Sequence, residues 1–166
     1  MEITLQKGNT FRIKGKTGVL YTKDNGFLIE SPDGSSTKEL FGPGEYEVSG
    51  ISVIGVQTDE GVCFVYEVDG IRVCDFSGNN QKLTDARLSS VGEVDVLLLP
   101  VVEKSVEIMQ SLESYYVLPF GYKETADLEK FLKDSGLVVI NMPKFSLKKE
   151  EIIEDSPTQI VVLESK

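Results

Sequence analysis

The strongest structural signal in the chain is a β-hairpin near its middle. Residues 62–68 and 71–76 are apolar runs rich in β-branched side chains, and only Asp69-Gly70 separates them. An Asp-Gly pair between two such runs is typical of a tight two-residue hairpin turn. The second run then ends in Ser77-Gly78, a small polar loop of the kind that often carries function in α/β proteins.

The turn also predicts the register of the hairpin. Glu67 faces Arg72 and Val65 faces Cys74, so the first pair is expected to form a cross-strand ion pair. Cys63 and Cys74 become diagonal neighbours on one face, with Cβ atoms about 7 Å apart. Because a disulfide needs a Cβ separation of about 3.8 Å, both thiols are expected to be reduced core residues.

Short strands fill the chain before this hairpin. Asp24-Asn25-Gly26 is a second hairpin signal, and Ser31 to Thr37 has the Pro, Gly and Ser composition of a loop. The segments expected as strands are 3–5, 10–14, 19–22, 27–30, 42–48 and 51–56. The N-terminal part is therefore predicted to be an antiparallel β-meander.

The pattern changes to alternating helices and strands after residue 76. Thr84, Ser105 and Thr125 are candidate N-caps of three helices, and Gly136 is expected to end the third. Apolar runs at 94–99, 115–118, 137–141 and 159–164 are candidate strands. We expect one α/β domain over residues 1–166, with layered sheets and helices outside.

Charge and composition exclude several classes of partner. Twenty-seven acidic and 17 basic side chains give a net charge of −10. That charge repels nucleic-acid phosphates and anionic lipids, so neither nucleic acid nor a membrane is an expected partner. The first residues lack the basic start and apolar middle of a signal peptide, which predicts a cytoplasmic protein.

An ordered set of segments across the chain resembles one family. The segments are 11–13, 41–48, 66–74, 91–100, 117–119 and 160–164. Together they are similar to the small prokaryotic hydrolases of the metallo-β-lactamase superfamily, in the lactonase-like branch of Zn-dependent hydrolases. The resemblance implies the αββα sandwich of that superfamily, reduced in size.

The metal ligands of that family do not carry over to this sequence. By the resemblance, Gly78 stands where the family has a metal-bridging Asp, and Gly121 stands where a strand ends in a His ligand. Lys7-Gly8-Asn9-Thr10 replaces an early Gly-His signature. The chain has no histidine at all. We therefore expect no catalytic residue of the family type, no metal ligand and no cofactor.

A residual cleft is the remaining candidate site. The residues expected to line it are Asp75, Ser77, Gly78, Asn79, Asn80, Gly121 and Tyr122. Alternatively, Asp75 only satisfies backbone amides in the turn, and the two asparagines only tolerate left-handed backbone angles. A hard cation held by Asp24, Asp75 and Asp85 is a weaker alternative, because no Asp-x-Asp-x-Asp spacing supports it. Ser77 lacks a histidine to accept its proton.

Two hypotheses of function follow, with a third about association. The first is a metal-free, non-catalytic pseudoenzyme that works as a binding or assembly module with an unidentified protein partner. The alternative is a hydrolase that uses Asp75, Ser77 and Tyr122 without zinc, which requires these side chains to meet in one pocket. The third is self-association through an uncovered sheet edge. By the resemblance, the family has a metal-binding His-x-His-x-Asp-His loop between the early strands and residues 42–46, whereas here that interval is only 24–40 and has no histidine.

Overall fold

Two β-sheets and three helices make up the computed structural model, which describes residues 1–166. The first nine strands are β1 (Glu2–Gln6), β2 (Thr10–Lys14), β3 (Val19–Lys23), β4 (Gly26–Glu30), β5 (Thr37–Phe41), β6 (Gly44–Val48), β7 (Ile51–Gln57), β8 (Val62–Val68) and β9 (Ile71–Asp75). Then follow α1 (Asp85–Val91), β10 (Val96–Pro100), α2 (Ser105–Leu112), β11 (Tyr116–Phe120), α3 (Thr125–Ser135), β12 (Val138–Met142), β13 (Phe145–Ser146) and β14 (Gln159–Leu163).

The six-stranded sheet contains the predicted antiparallel meander, in the order β13-β1-β2-β3-β4-β5. Its β3–β4 turn has Asn25 at a φ of 54°, a left-handed conformation that Asn tolerates. β5 is not among the predicted strands, and the loop predicted to extend to Thr37 is one residue too long, because Thr37 begins β5 and pairs with Glu30. Pairing with β4 here outweighs the low strand propensity of Lys38 and Glu39.

The eight-stranded sheet has the order β12-β14-β11-β10-β9-β8-β7-β6. β6 to β9 are antiparallel, whereas β9, β10, β11, β14 and β12 are parallel to one another. The register predicted for the central hairpin is confirmed, with Glu67 opposite Arg72 and Val65 opposite Cys74. Asp69 and Gly70 have φ values of 54° and 77°, which explains the Asp-Gly turn because L residues other than Asn and Asp rarely adopt them.

The N-cap predictions are right for α1 and wrong for α2. Thr84 caps α1, and its hydroxyl accepts a hydrogen bond from the Arg87 amide at 3.4 Å. Ser105 is the first helical residue of α2, and Lys104 occupies the cap position. The Ser105 hydroxyl instead accepts from the Val102 amide at 2.7 Å, so it holds the turn before the helix.

The predicted N-cap of α3 is also wrong by one residue. Glu124 is the cap, and its own amide donates to the Asp127 carboxylate at 3.1 Å in a capping box. Thr125 therefore begins the helix without capping it. Gly136 ends α3 at a φ of 64°, as predicted.

Two cores hold these layers together. One lies between the sheets and includes Phe11, Phe27 and Tyr66. The other lies between the eight-stranded sheet and the helices, and it includes Ile108 and Phe131. The α/β sandwich with its N-terminal meander is thus confirmed. All three helices pack on the eight-stranded sheet, so the structure has two sheets and one helical layer.

The two cysteines belong to the helical-side core. Cys63 and Cys74 are both free and 0% exposed, and their Sγ atoms lie 3.5 Å apart. The hydrogen bond between them and burial raise the pKa of the Cys74 thiol, so it stays protonated at neutral pH. None of the three helices has the length and apolar character needed to cross a membrane.

Candidate functional site

A cleft of about 600 Å³ lies at the carboxyl ends of β9, β10 and β11. Parallel strands of α/β proteins usually present their ligand sites at this edge. The cleft is lined by Gly8, Asn9, Thr10, Thr22, Lys23, Asp24, Phe41, Ser77, Gly78, Pro100, Phe120 and Gly121. Residues from both sheets therefore meet across it.

Left-handed backbone shapes this cleft. Gly8, Gly78 and Gly121 have φ values of 74°, 75° and 70°, and Asn9 has a φ of 62°. Such values favour Gly and Asn over other residues. The Asn9 side-chain nitrogen lies 3.9 Å from the position that a Cβ on Gly121 would occupy. Three of the segments in which the resemblance finds lost ligands thus lie around one cleft, and they line it with glycine, asparagine, threonine and serine.

Asp75 lies beneath the cleft and is 1% exposed. One carboxylate oxygen accepts a hydrogen bond from the Tyr66 hydroxyl at 3.1 Å. The other accepts from the Ser77 amide at 3.0 Å and from the Ser77 hydroxyl. Burial raises the pKa of Asp75, although these hydrogen bonds oppose the shift. Asp75 therefore holds the loop after β9 in place, which agrees with the alternative that it satisfies the turn.

The two asparagines of this loop bind protein groups. Asn79 is 1% exposed, its Oδ1 accepts from the Thr58 hydroxyl, and its Nδ2 donates to the Ser77 carbonyl at 3.0 Å. The backbone N–H of Asn80 donates a hydrogen bond to the Glu60 carboxylate. Asn79 and Asn80 therefore tie the loop to the β7–β8 turn and do not line the cleft.

Tyr122 also lies away from the cleft. Its side chain packs against the core beneath the helices, although the preceding Gly121 is a lining residue. Of the predicted cleft residues, Ser77, Gly78 and Gly121 line the cavity, and the other four do not. The pocket that the zinc-free hydrolase hypothesis requires is thus not formed by Asp75, Ser77 and Tyr122.

Several lining residues have no sequence signal for a site. Thr22, Lys23 and Phe41 come from β3 and β5, far from residue 77 in the chain. Lys23 also pairs with Glu39 of β5, so its ammonium is partly neutralised. These residues can be assigned to the cleft only once the two sheets are packed.

The zinc ion that the fold suggests does not fit this cleft. Catalytic zinc needs three protein ligands, mostly His, Cys or carboxylate groups. Asp24 is the one acidic lining residue, and Lys23 places a cation beside it. No group of three His, Cys, Asp or Glu side chains in the structure could hold a metal, so Asp24, Asp75 and Asp85 do not form a cation site either.

Comparison with known proteins identifies the class. A family model described as the Beta-lactamase superfamily domain matches residues 7–121. The chain belongs to this family, and its fold is that of the metallo-β-lactamases.

Two solved structures show the likeness in detail. One, from Thermotoga maritima, is assigned as a Zn-dependent hydrolase of the metallo-beta-lactamase superfamily. It is 23% identical, with 100% of each chain covered and a TM-score of 0.73, so it shares the fold. The other, from Parabacteroides distasonis, is assigned as a metal-dependent hydrolase and is 10% identical, with 99% of this chain and 98% of that chain covered and a TM-score of 0.49. A search of curated proteins finds no match.

Proposed function

We propose that this protein is a metal-free, non-catalytic member of its family that works as a binding or assembly module. The observation that carries the proposal is the cleft at the ends of β9, β10 and β11. Three segments that would carry metal ligands by the resemblance line it with glycine and neutral polar residues only, and no group of three possible metal ligands is present there. The scaffold is kept while the donors of the family's metal centre are gone.

The energy of water activation supports this proposal. Zinc lowers the pKa of a bound water from about 15.7 to about 7, a difference on the order of 10 kcal/mol in hydroxide availability. A lone carboxylate acting as a general base contributes roughly 100- to 10,000-fold, or about 3 to 5 kcal/mol. Asp24 or Asp75 alone therefore does not replace the missing centre.

The zinc-free hydrolase is the weaker candidate. Ser77 does line the cleft, and its hydroxyl donates to the Asp75 carboxylate. However, the same carboxylate also binds the Ser77 amide and Tyr66, which fixes it as part of the loop. A serine nucleophile needs a base that can take its proton and pass it to the leaving group. The chain has no histidine to make that second transfer.

Metal analysis and a hydrolase screen test the proposal together. Protein purified without a histidine tag is dialysed against zinc, freed of unbound metal and assayed with lactone, phosphodiester and thioester substrates. We expect no zinc-dependent turnover of any of these substrates, and we expect a chelator to leave the measured turnover unchanged. Turnover that zinc restores after chelation would overturn the proposal. Turnover that survives the chelator but disappears in Ser77→Ala would support the zinc-free hydrolase.

A further inference from the structure

A second and larger cavity lies at the opposite end of the eight-stranded sheet. It is a groove of about 990 Å³. Its lining includes Asp95, Tyr115, Leu137 and Thr158, which directly precede β10, β11, β12 and β14. Because those strands are parallel, the groove lies at their amino ends, whereas the cleft lies at the carboxyl ends of β10 and β11.

The groove is strongly acidic. Its lining has one basic side chain, Lys149, and five acidic ones: Glu93, Asp95, Glu113, Glu154 and Asp155. The residues that directly follow α1 and α2, and the last residue of α3, also line it. Helix C-termini carry partial negative charge, so the three helix ends add to the field of the carboxylates. A cationic ligand is therefore electrostatically favoured here.

The protein already holds two of its own cations at this end. The Arg72 guanidinium donates to the Val91 carbonyl at 2.7 Å and to the Glu93 carbonyl at 2.8 Å. The Lys149 ammonium lies 3.0 Å from the buried Asp95 carboxylate. Both basic side-chain types thus find carbonyl or carboxylate partners among the groups that surround the groove.

Two features of the groove and its edge are not explained by charge: an unpaired buried hydroxyl and an exposed apolar side chain. Ser114 lines the groove and is 2% exposed, and its Oγ is the one buried side-chain polar atom without a hydrogen-bond partner. Such groups are nearly always satisfied, so an unpaired one indicates a missing partner. Ile153 lies between the lining residues Ile152 and Glu154 and is 71% exposed, and Leu137 adds apolar surface to the wall. A buried unpaired hydroxyl and an exposed isoleucine next to the lining thus accompany the acidic rim.

We infer that this groove binds a basic peptide segment of a partner protein, with lysine or arginine side chains on the acidic rim and an apolar side chain against Ile153. The inference rests on the proposed function as a binding module and names the chemistry of its partner. A second copy of the chain is disfavoured because it carries the same net charge of −10. The exposed isoleucine favours a protein partner over a simple amine, since it adds apolar area beyond an ammonium site.

Fluorescence anisotropy with a labelled peptide of Lys, Ser and Leu residues tests the charge requirement. Glu93→Gln, Glu113→Gln and Glu154→Gln are combined in one variant. The control combines Glu45→Gln, Glu103→Gln and Glu129→Gln, which are exposed, outside the groove and free of ion pairs. Both variants have the same net charge. We expect the groove variant alone to weaken binding, by about tenfold.

Apolar and hydroxyl contacts are tested separately. Ile153→Ser, next to two lining residues, is expected to weaken peptide binding about fivefold, whereas Ile140→Ser, an exposed apolar residue that is not next to any lining residue, is expected to leave it unchanged. Ser114→Ala is expected to weaken binding about threefold without lowering the melting temperature. Equal weakening by the groove variant and its net-charge control would overturn the inference. If spermine displaces the labelled peptide as effectively as the unlabelled peptide does, the assignment to a peptide is overturned.

The zinc and turnover assays on the same preparation separate the two proposals. If the peptide does not bind and no zinc-dependent turnover is found, the groove assignment fails while the metal-free, non-catalytic reading stands. If zinc-dependent turnover is found, the proposed function is wrong. The inference about the groove then loses its basis, because it assumes that the protein is a binding module. Peptide binding that follows the variant pattern in a zinc-free, inactive protein supports both.

Discussion

At the scale of single residues, two buried polar side chains have opposite surroundings. Asp75 is surrounded by donors, since Tyr66 and Ser77 bind both of its oxygens. Ser114 is equally buried, and its hydroxyl has no partner. The surroundings of Asp75 and Ser114 cannot be predicted from the sequence, because they depend on neighbours that only the fold brings together. Each predicts a distinct effect of substitution on stability.

Asp75→Asn should remove a pH dependence of stability. Burial raises the pKa of Asp75 in the folded protein above its ordinary value of 3.8. The folded state therefore favours the protonated acid, and stability falls as pH rises from that ordinary value through the raised pKa. Asparagine stays neutral, so the free energy of unfolding of the variant should rise relative to that of the wild type as the pH rises above 3.8, measured in denaturant titrations. A stability difference that does not change with pH would contradict this assignment.

Ser114→Ala should not destabilise the protein. The change removes a buried hydroxyl that makes no hydrogen bond, so the free energy of unfolding should stay the same or rise by up to about 1 kcal/mol. Ser105 is the matched control, because it is 1% exposed and its hydroxyl binds Pro100 and Val102. Ser105→Ala should cost about 1 to 2 kcal/mol. Equal losses in the two variants, measured by urea unfolding, would show that Ser114 has a partner.

At the scale of elements, the sequence predicts the central hairpin and most of its neighbours. Asp69-Gly70 defines a register because few residues allow its backbone angles, and that register is confirmed. Helix starts are less certain, because Ser and Thr are common both at the cap and inside the first turn. The sequence therefore does not distinguish Thr84, which caps α1, from Thr125, which begins α3 beside the capping residue Glu124.

Substitution of these two threonines tests the difference. Thr84→Ala removes the acceptor for the Arg87 amide and should destabilise the protein by about 1 kcal/mol. Thr125→Ala leaves the Glu124–Asp127 capping box intact and should change stability by less than about 0.5 kcal/mol. Both side chains are exposed, so burial does not confound the comparison. The opposite order of melting temperatures would favour Thr125 as the cap.

The candidate site is less predictable than the strands that position it. Ser77, Gly78 and Gly121 can be predicted as cleft residues from the sequence, because they lie in loops that follow strands. Such loops meet at one edge of a parallel sheet. Tyr122 follows the same strand as Gly121, but its half-buried ring packs against the core beneath the helices and does not line the cleft. The acidic groove has no sequence signature, because its residues come from separate loops between residues 88 and 158.

At the scale of the whole molecule, the two ends of the sheet have different chemistry. The carboxyl ends of β9 to β11 hold a small cleft with no metal-binding group. The amino ends of β10, β11, β12 and β14 hold a larger acidic groove with an unpaired hydroxyl. The chain thus has its larger cavity at the end of the sheet opposite the cleft.

Zinc stoichiometry of the untagged protein is the most direct test of this account. The protein is equilibrated with zinc, dialysed and measured by plasma mass spectrometry, with circular dichroism to confirm that it stays folded. Without an imidazole or a cluster of three donor side chains, bound zinc should be far below one ion per chain. One or two zinc ions retained per chain would contradict the central claim that the family's metal centre is absent.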